Sequence, residues 1–421
     1  MLDPEKDAMP RDRPLVLPRL GEALAPIVQR FGAQPVLGMV LVDASALSMV
    51  EIAHGHDARE EVLGRLGQVI RDVAAELLHE DDFVVTGETG RLEIAVLAFR
   101  SETDRTFYRN DLVDFTRTLE RTIESRAARI VYPYARSDAI FGVGMAAIVR
   151  NPILGVDTQL RGIFEEARID AALSRGVALR RRRQDFMTVL LGGRVTSVYE
   201  PIVSVEGRTV YGYEALARGP EGTAFRSPMA LFAAAEEEGQ IFELDCLCRR
   251  SGLAGAEELP EGTNLFLNVR PTTIHDPNFR PEAVIRTLER TRLRPQDVVF
   301  EISEQESIAN FDVFREIRDE YRSLGFRFAL DDTGAGYASL QAVLQLEPEF
   351  IKVDRAFITG LDTDRAKQNM LRAFQDVADH MGAKIIGEGL DRLEELEMLG
   401  ELGIAFGQGW LFGKPTPLRA S

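Results

Sequence analysis

Cysteine is nearly absent: Cys246 and Cys248 are the only two in 421 residues. Their C-x-C spacing, with no second pair, builds neither a disulfide framework nor a zinc site, and it fits a reducing compartment. Long apolar runs are missing too. No segment reaches the roughly 18 apolar residues of a membrane span. The opening MLDPEKDAMPRDRPLVLPRL is charged and proline-rich, without an apolar core of signal-peptide length. Positive charge is in deficit, 50 Lys and Arg against 67 Asp and Glu, for a net charge of -17. That argues against a nucleic acid polymer as the main partner. It leaves room for a small phosphorylated ligand held by metal ions and a few local cations. The expectation is a soluble, cytoplasmic chain.

The length exceeds one ordinary domain, and 45% hydrophobic residues is enough for two buried cores. Residues 1–33 read as a lead and a short amphipathic helix. Over 34–178 the pattern is strand (PVLGMVLVD), helix (AREEVLGRLGQVIRDVAAELL), strand (DDFVVTGE), strand (RLEIAVLAF), helix, strand (AIFGVGMAAI) and helix (GIFEEARIDAALSRG). Such a run predicts an α+β sheet with helices on one face. The basic run LRRRRQ opens a connecting segment, 179–194.

From 195 to 418 the texture changes. Eight strand-like segments recur, most with helices between: VTSVYEPIV, TVYGYEAL, NLFLNV, VVFEIS, RFALDD, FIKVD, AKIIGEG and FGQGWLF. The fold class is α/β, a (β/α)8 TIM-like barrel. Only VEGR separates the first two strands. A parallel crossover needs a dozen or more residues, so these two form an antiparallel hairpin and the barrel has one reversed strand.

Polar residues fall at or beside the ends of successive strands: Glu214, Asn268, Glu301, Asp331 with Asp332, Lys352, Glu388 and Gln408. The intervals from 214 to 408 are 54, 33, 30, 21, 36 and 20 residues. The C-terminal rim of such a barrel is where βα loops build active sites. Adjacent Asp331 and Asp332, followed by Gly334 and Gly336, suit either an Asx-type turn or a cation site. The rest of the rim decides for the cation. Its donors are carboxylates and an amide, without His or Cys, which suits Mg²⁺ or Mn²⁺. So many clustered carboxylates make two ions plausible, with Asp331 and Asp332 serving both. Two metals and a lysine point to phosphodiester hydrolysis.

The ordered set EAL, LNVRP, FEISE, LDDTGAGYASL, IKVD, GEGLD and QGWLFGKP resembles the EAL-domain cyclic-di-GMP phosphodiesterases across roughly 195–418. The resemblance implies hydrolysis of cyclic di-GMP to linear pGpG, with two Mg²⁺ or Mn²⁺ ions per barrel. It implies metal ligation by Glu214, Asn268, Glu301, Asp331 and Asp332, with Glu388 a further ligand or base. Lys352 matches the essential lysine, and Glu304 the glutamate that steadies the loop after the aspartate pair. Arg218, Leu216, Gln408 and Asp354 match substrate-contacting positions. A homodimer through this domain is implied as well. Three departures stand out: DDTGAG places Thr333 and Ala335 where the family has phenylalanine and threonine, YEP places Glu200 where it has glutamine, and GEGLD places Asp391 where it has glutamate.

The N-terminal part resembles a degenerate GGDEF domain, nucleotidyl-cyclase-like. LVDASALSMVEIAHGHDAREEVL keeps Asp43 and the Gly55–His56 pair, while Ser45, Ser48 and Glu51 replace family residues. The signature hairpin is GRLEI, with Leu92 where an acidic metal ligand belongs and Arg91 where a glycine does. Glu93 is read as an exposed hairpin residue. The expectation is a domain that makes no cyclic di-GMP and regulates the barrel, through GTP or a protein effector. The competing reading for the whole chain is a catalytically silent cyclic-di-GMP receptor.

Overall fold

Two sheets organise the chain, a four-stranded one and a closed eight-stranded barrel. The computed structural model describes residues 16–418, except 77, 80, 81, 89, 105, 135–138, 271–275, 277, 278, 304–310 and 334–344. The side chains of 311–314, 317, 332 and 333 also lie outside the description. The chain divides into two units, Met1–Asp185 and Phe186–Ser421. No helix among the described residues is long and apolar enough to cross a membrane.

In the first unit, strands β1 (Val36–Asp43), β2 (Phe83–Thr86), β3 (Glu93–Arg100) and β4 (Gly142–Val149) lie in the order β2-β3-β1-β4, every pair antiparallel. The helices are α1 (Leu20–Ala33), α2 (Ser48–His54), α3 (His56–Ala74), α4 (Leu112–Val131) and α5 (Val156–Leu191), the last continuing past Asp185 into the second unit. They cover both faces of the sheet, correcting the expectation of one. β1 is a continuous apolar run, so successive side chains turn to opposite sides and both need cover. Val40 and Val42 join a cluster with Leu66 and Ile70 of α3 and Leu119 of α4. Leu37, Met39 and Leu41 join Ile27 and Phe31 of α1 and Phe164 and Ala167 of α5. Gly55, at φ +90, separates α2 from α3, where the sequence reading had only the second. The basic run at 179–184 is helical, part of α5 as far as Leu191.

The barrel strands are β5 (Thr196–Ser204), β6 (Val210–Arg218), β7 (Asn264–Asn268), β8 (Val298–Ser303), β9 (Arg327–Thr333), β10 (Phe350–Val353), β11 (Lys384–Gly387) and β12 (Phe406–Gln408). They neighbour one another in chain order and β12 closes on β5. β5 is antiparallel to both β6 and β12, and the other pairs are parallel. This is the reversed strand that the short VEGR connection demanded.

An apolar layer of Ile202, Phe266, Val299, Ala329, Phe350 and Ile386, joined by Phe406, fills the barrel interior. Strand side chains alternate faces, so the residue two positions on points inward one level higher. Those residues are Asn268, Glu301, Asp331, Lys352, Glu388 and Gln408. On reversed β5 the same level is reached two positions earlier, at Glu200.

Candidate active site

Lys352 is the centre of that upper level. Only 1% exposed, its Nζ lies 2.7 Å from Glu388 Oε1, 3.0 Å from Glu301 Oε1, 3.1 Å from Glu214 Oε2 and 3.2 Å from Asp331 Oδ1. Four strands thus deliver four carboxylates to one ammonium. An ammonium has three donors and one charge, so it cannot satisfy them all. Glu214 is the best served: its Oε1 accepts from Asn268 Nδ2 at 2.8 Å, and its Oε2 accepts from Gln408 Nε2 at 2.6 Å. Gln408 Nε2 also donates to Glu200 Oε2 at 3.1 Å. Both oxygens of Glu301 and Oδ1 of Asp331 are buried without a hydrogen-bond partner.

The proton affinities follow from this uneven service. Burial would raise Glu214, but Lys352, Gln408 and Asn268 hold its carboxyl below the ordinary range. Burial and the neighbouring Glu214 push Glu301 well above it. Glu388 is pushed up to about 8, by burial first, with Lys352 opposing and Asp331 adding to the rise. Burial opposes the charge of Lys352, yet the surrounding carboxylates win and keep it protonated. Glu200 is raised by burial, against the hydrogen bond from Gln408.

A bulge sits where the aspartates fall. Between β9 and β10, Ile351 pairs with Leu330 and Val353 with Thr333, so two residues of β9, Asp331 and Asp332, stand against the single Lys352. Bulges of this kind re-aim side chains beside active sites. The strand therefore continues through the pair, and an Asx-type turn is not what places two carboxylates together.

The remaining sequence candidates sit around this centre. Arg218 ends β6, partly buried, its Nη1 donating to Ala217 O at 2.8 Å. Burial, then nearby Arg226, holds its guanidinium below the usual value. Leu216 pairs with Val198 across β5 and β6. Asp354 caps the helix Arg355–Ile358, its Oδ1 accepting from Ala356 N at 2.7 Å. Glu304 and Ala335 lie outside the described residues, as do the side chains of Asp332 and Thr333.

Sequence reasoning missed Glu395. Almost fully buried, it accepts from Gly360 N at 2.9 Å, Arg392 N at 3.2 Å and Asp391 N at 3.3 Å. It thereby ties down the segment that follows Glu388. Its only sequence signal is its place three residues into a helix, Leu393–Glu401. Asp391, noted as a departure, pairs with Arg355 at 2.6 Å.

Among the described residues, no three Asp, Glu, His or Cys side chains form a metal-ready group. The carboxylates gather on Lys352 instead. The donors nevertheless fit a hard divalent cation: all are oxygens, and three of those oxygens, on Glu301 and Asp331, are buried and accept no hydrogen bond.

Residues 182–415 match the family model of the EAL domain. The chain belongs to the EAL domain family. Over 231 residues this EAL protein is 31% identical to a probable cyclic di-GMP phosphodiesterase, PdeG, of Escherichia coli (strain K12), a match covering 53% of this chain and 45% of that one. It is 31% identical over 159 residues to the cyclic di-GMP phosphodiesterase PdeA of Borreliella burgdorferi, covering 37% and 23%. The chain thus spans under half the length of these curated relatives. The barrel also resembles the EAL domain of Xanthomonas citri FimX, crystallised with c-di-GMP, at a TM-score of 0.51 and 19% identity, covering 57% of this chain and 97% of that one. That likeness is one of fold.

Proposed function

We propose that the barrel hydrolyses cyclic di-GMP to linear pGpG with two Mg²⁺ or Mn²⁺ ions. The observation that carries this reading is the convergence of four carboxylates on buried Lys352, with both oxygens of Glu301 and Oδ1 of Asp331 accepting no hydrogen bond. Relatives named as cyclic di-GMP phosphodiesterases support the substrate. Glu214, Asn268, Glu301, Asp331 and Asp332 would hold the ions, with Glu388 completing the set. The bound ions would supply an activated water and neutralise phosphoryl charge.

The chain's own residues do the rest. Lys352, held protonated by its neighbours, gives a fixed positive charge for a phosphate oxygen or the attacking water. Glu388, whose Oε1 is the carboxylate oxygen nearest Lys352 Nζ, would serve either as that further ligand or as the base for the water. Gln408 orients Glu214 through its 2.6 Å hydrogen bond. Arg218, on the same strand as Glu214, would contact a phosphate. Leu216 and Asp354 would border the nucleotide, and Glu304 would steady the loop after the aspartates.

We infer further that the first unit is a degenerate GGDEF domain without cyclase activity. Glu93, expected to be exposed, is only 6% so. Arg168 of α5 grips it with two bonds, Nε to Oε2 at 3.0 Å and Nη2 to Oε1 at 2.8 Å. Arg175, two turns on, donates to Ser45 Oγ at 2.7 Å and lies 3.6 Å from Asp43 Oδ2. Two guanidinium groups thus already neutralise the surviving carboxylates, where a cyclase would need Mg²⁺ and GTP. Its role is regulatory.

The experiment is incubation of the pure protein with cyclic di-GMP and Mn²⁺, followed by chromatography for pGpG. Retained nucleotide binding without pGpG would give the receptor reading instead.

A further inference from the structure

Helix α5 has two faces of different fate. Leu160, Ile163, Phe164, Ala167 and Ala171 form its inner stripe, packed into the core of the first unit. On the outer side, Ile169, Leu173 and Val177 recur every four residues and are 70%, 66% and 59% exposed. They make a second stripe about two turns long. Beside it runs a row of small residues, exposed Ala172 and Gly176, and a Cβ built on Gly176 would meet nothing within 4 Å. A glycine in mid-helix weakens the helix, and nothing in its own unit accounts for this one.

Charge brackets the stripe. Exposed Glu165 and Glu166 precede it, and exposed Arg180 and Arg181 follow it. The arrangement is antisymmetric about Leu173: Ile169 and Val177 lie four residues to either side, Glu166 and Arg180 seven, Glu165 and Arg181 eight. A helix so patterned is complementary to itself when turned end for end. We propose that two copies of this chain pair through α5, antiparallel, about a two-fold axis at Leu173.

In that pairing Leu173 meets Leu173 of the second copy, and Ile169 meets its Val177. Glu166 faces its Arg180, while Glu165, paired with Arg168 of its own helix, lies on the flank. A parallel pairing in register would stack arginine on arginine and glutamate on glutamate, so charge selects the antiparallel one. The surface is small beside a standard interface of roughly 800 Å² per partner, so the dimer is weak and sensitive to salt. This surface is distinct from a dimer made through the barrel.

Sedimentation equilibrium of the full-length protein tests it. The expected result is a monomer–dimer equilibrium that shifts toward monomer as salt rises. Leu173→Glu weakens dimerisation by about tenfold or more, as loss of a central contact does. Glu166→Arg and Arg180→Glu each weaken it, and the two together restore it, since the swapped pair is again complementary. All three positions are exposed, and circular dichroism checks that each variant folds. A wild-type protein that stays monomeric at high micromolar concentration overturns the proposal, as does a dimer untouched by Leu173→Glu. A double charge swap that fails to restore dimerisation overturns the antiparallel register.

Discussion

Lys352 Nζ lies 3.0 Å from Glu301 Oε1, yet neither oxygen of Glu301 has a hydrogen-bond partner. Glu214, equally close to the ammonium, is bonded on both oxygens. Their proton affinities move in opposite directions, which separates two variants that a list of metal ligands would treat alike.

Glu301→Gln and Glu214→Gln should both reduce hydrolysis at least about a hundredfold, through loss of charge that phosphoryl transfer requires. Without metal they should part. A carboxyl raised on folding contributes stability only at low pH, and that contribution is lost as pH rises through its folded value. Glu301→Gln should therefore raise the melting temperature at neutral pH in EDTA. Glu214, lowered on folding, contributes at neutral pH, so Glu214→Gln should lower it. Thermal denaturation in EDTA reads both signs, and equal shifts would undo the assignment.

Mg²⁺ or Mn²⁺ should support turnover, and EDTA should remove it reversibly. Ca²⁺ should bind but sustain little hydrolysis, because it is larger and accepts irregular, higher coordination. The measurement is pGpG formation in each metal after dialysis. Comparable rates with Ca²⁺ would contradict a tight two-metal site.

Glu395→Ala should destabilise the barrel by about 1–3 kcal/mol, leaving several donors without their shared acceptor. Burial would raise this carboxyl, but hydrogen bonds from Gly360, Arg392 and Asp391 hold it below the usual range. Its contribution is therefore present above the unfolded carboxyl value and lost as pH falls through the folded one. The gap between wild type and variant should narrow in acid. Urea titrations at pH 7 and pH 4 measure it, and a constant gap would dissociate stability from this carboxylate.

The first unit should form no cyclic di-GMP from GTP, assayed in a Glu214→Ala background so that none is destroyed. Gly144→Ala should destabilise it: a Cβ there would stand 2.2 Å from both Ala167 O and Ala171 N. That close approach brings Arg168 and Arg175 over the end of the sheet. Detectable product would refute the inactive assignment.

How much of this was legible in the residues varies with the physics involved. The reversed strand could be read because chain length forbids a parallel crossover in four residues. The rim could be read because its polar positions recur at intervals of one βα unit. What escaped depends on contacts between distant segments. Glu93 looks like any hairpin residue until Arg168, 75 positions away, grips it. The second covered face of the N-terminal sheet was hidden because α1 and α5 flank the domain in sequence. The bulge at Asp331 and Asp332 escaped because register shifts leave no mark in periodicity.

The apolar layer beneath the rim has a consequence for nucleotide affinity. Ile202, Phe266, Val299, Phe350 and Ile386 form a floor of low dielectric, so the field of the ionised groups above it is focused toward the mouth. On the proposed function, divalent ions held at the rim would lessen the repulsion between its ionised carboxylates and a doubly charged nucleotide, and the nucleotide's apparent affinity would then be a function of free divalent ion.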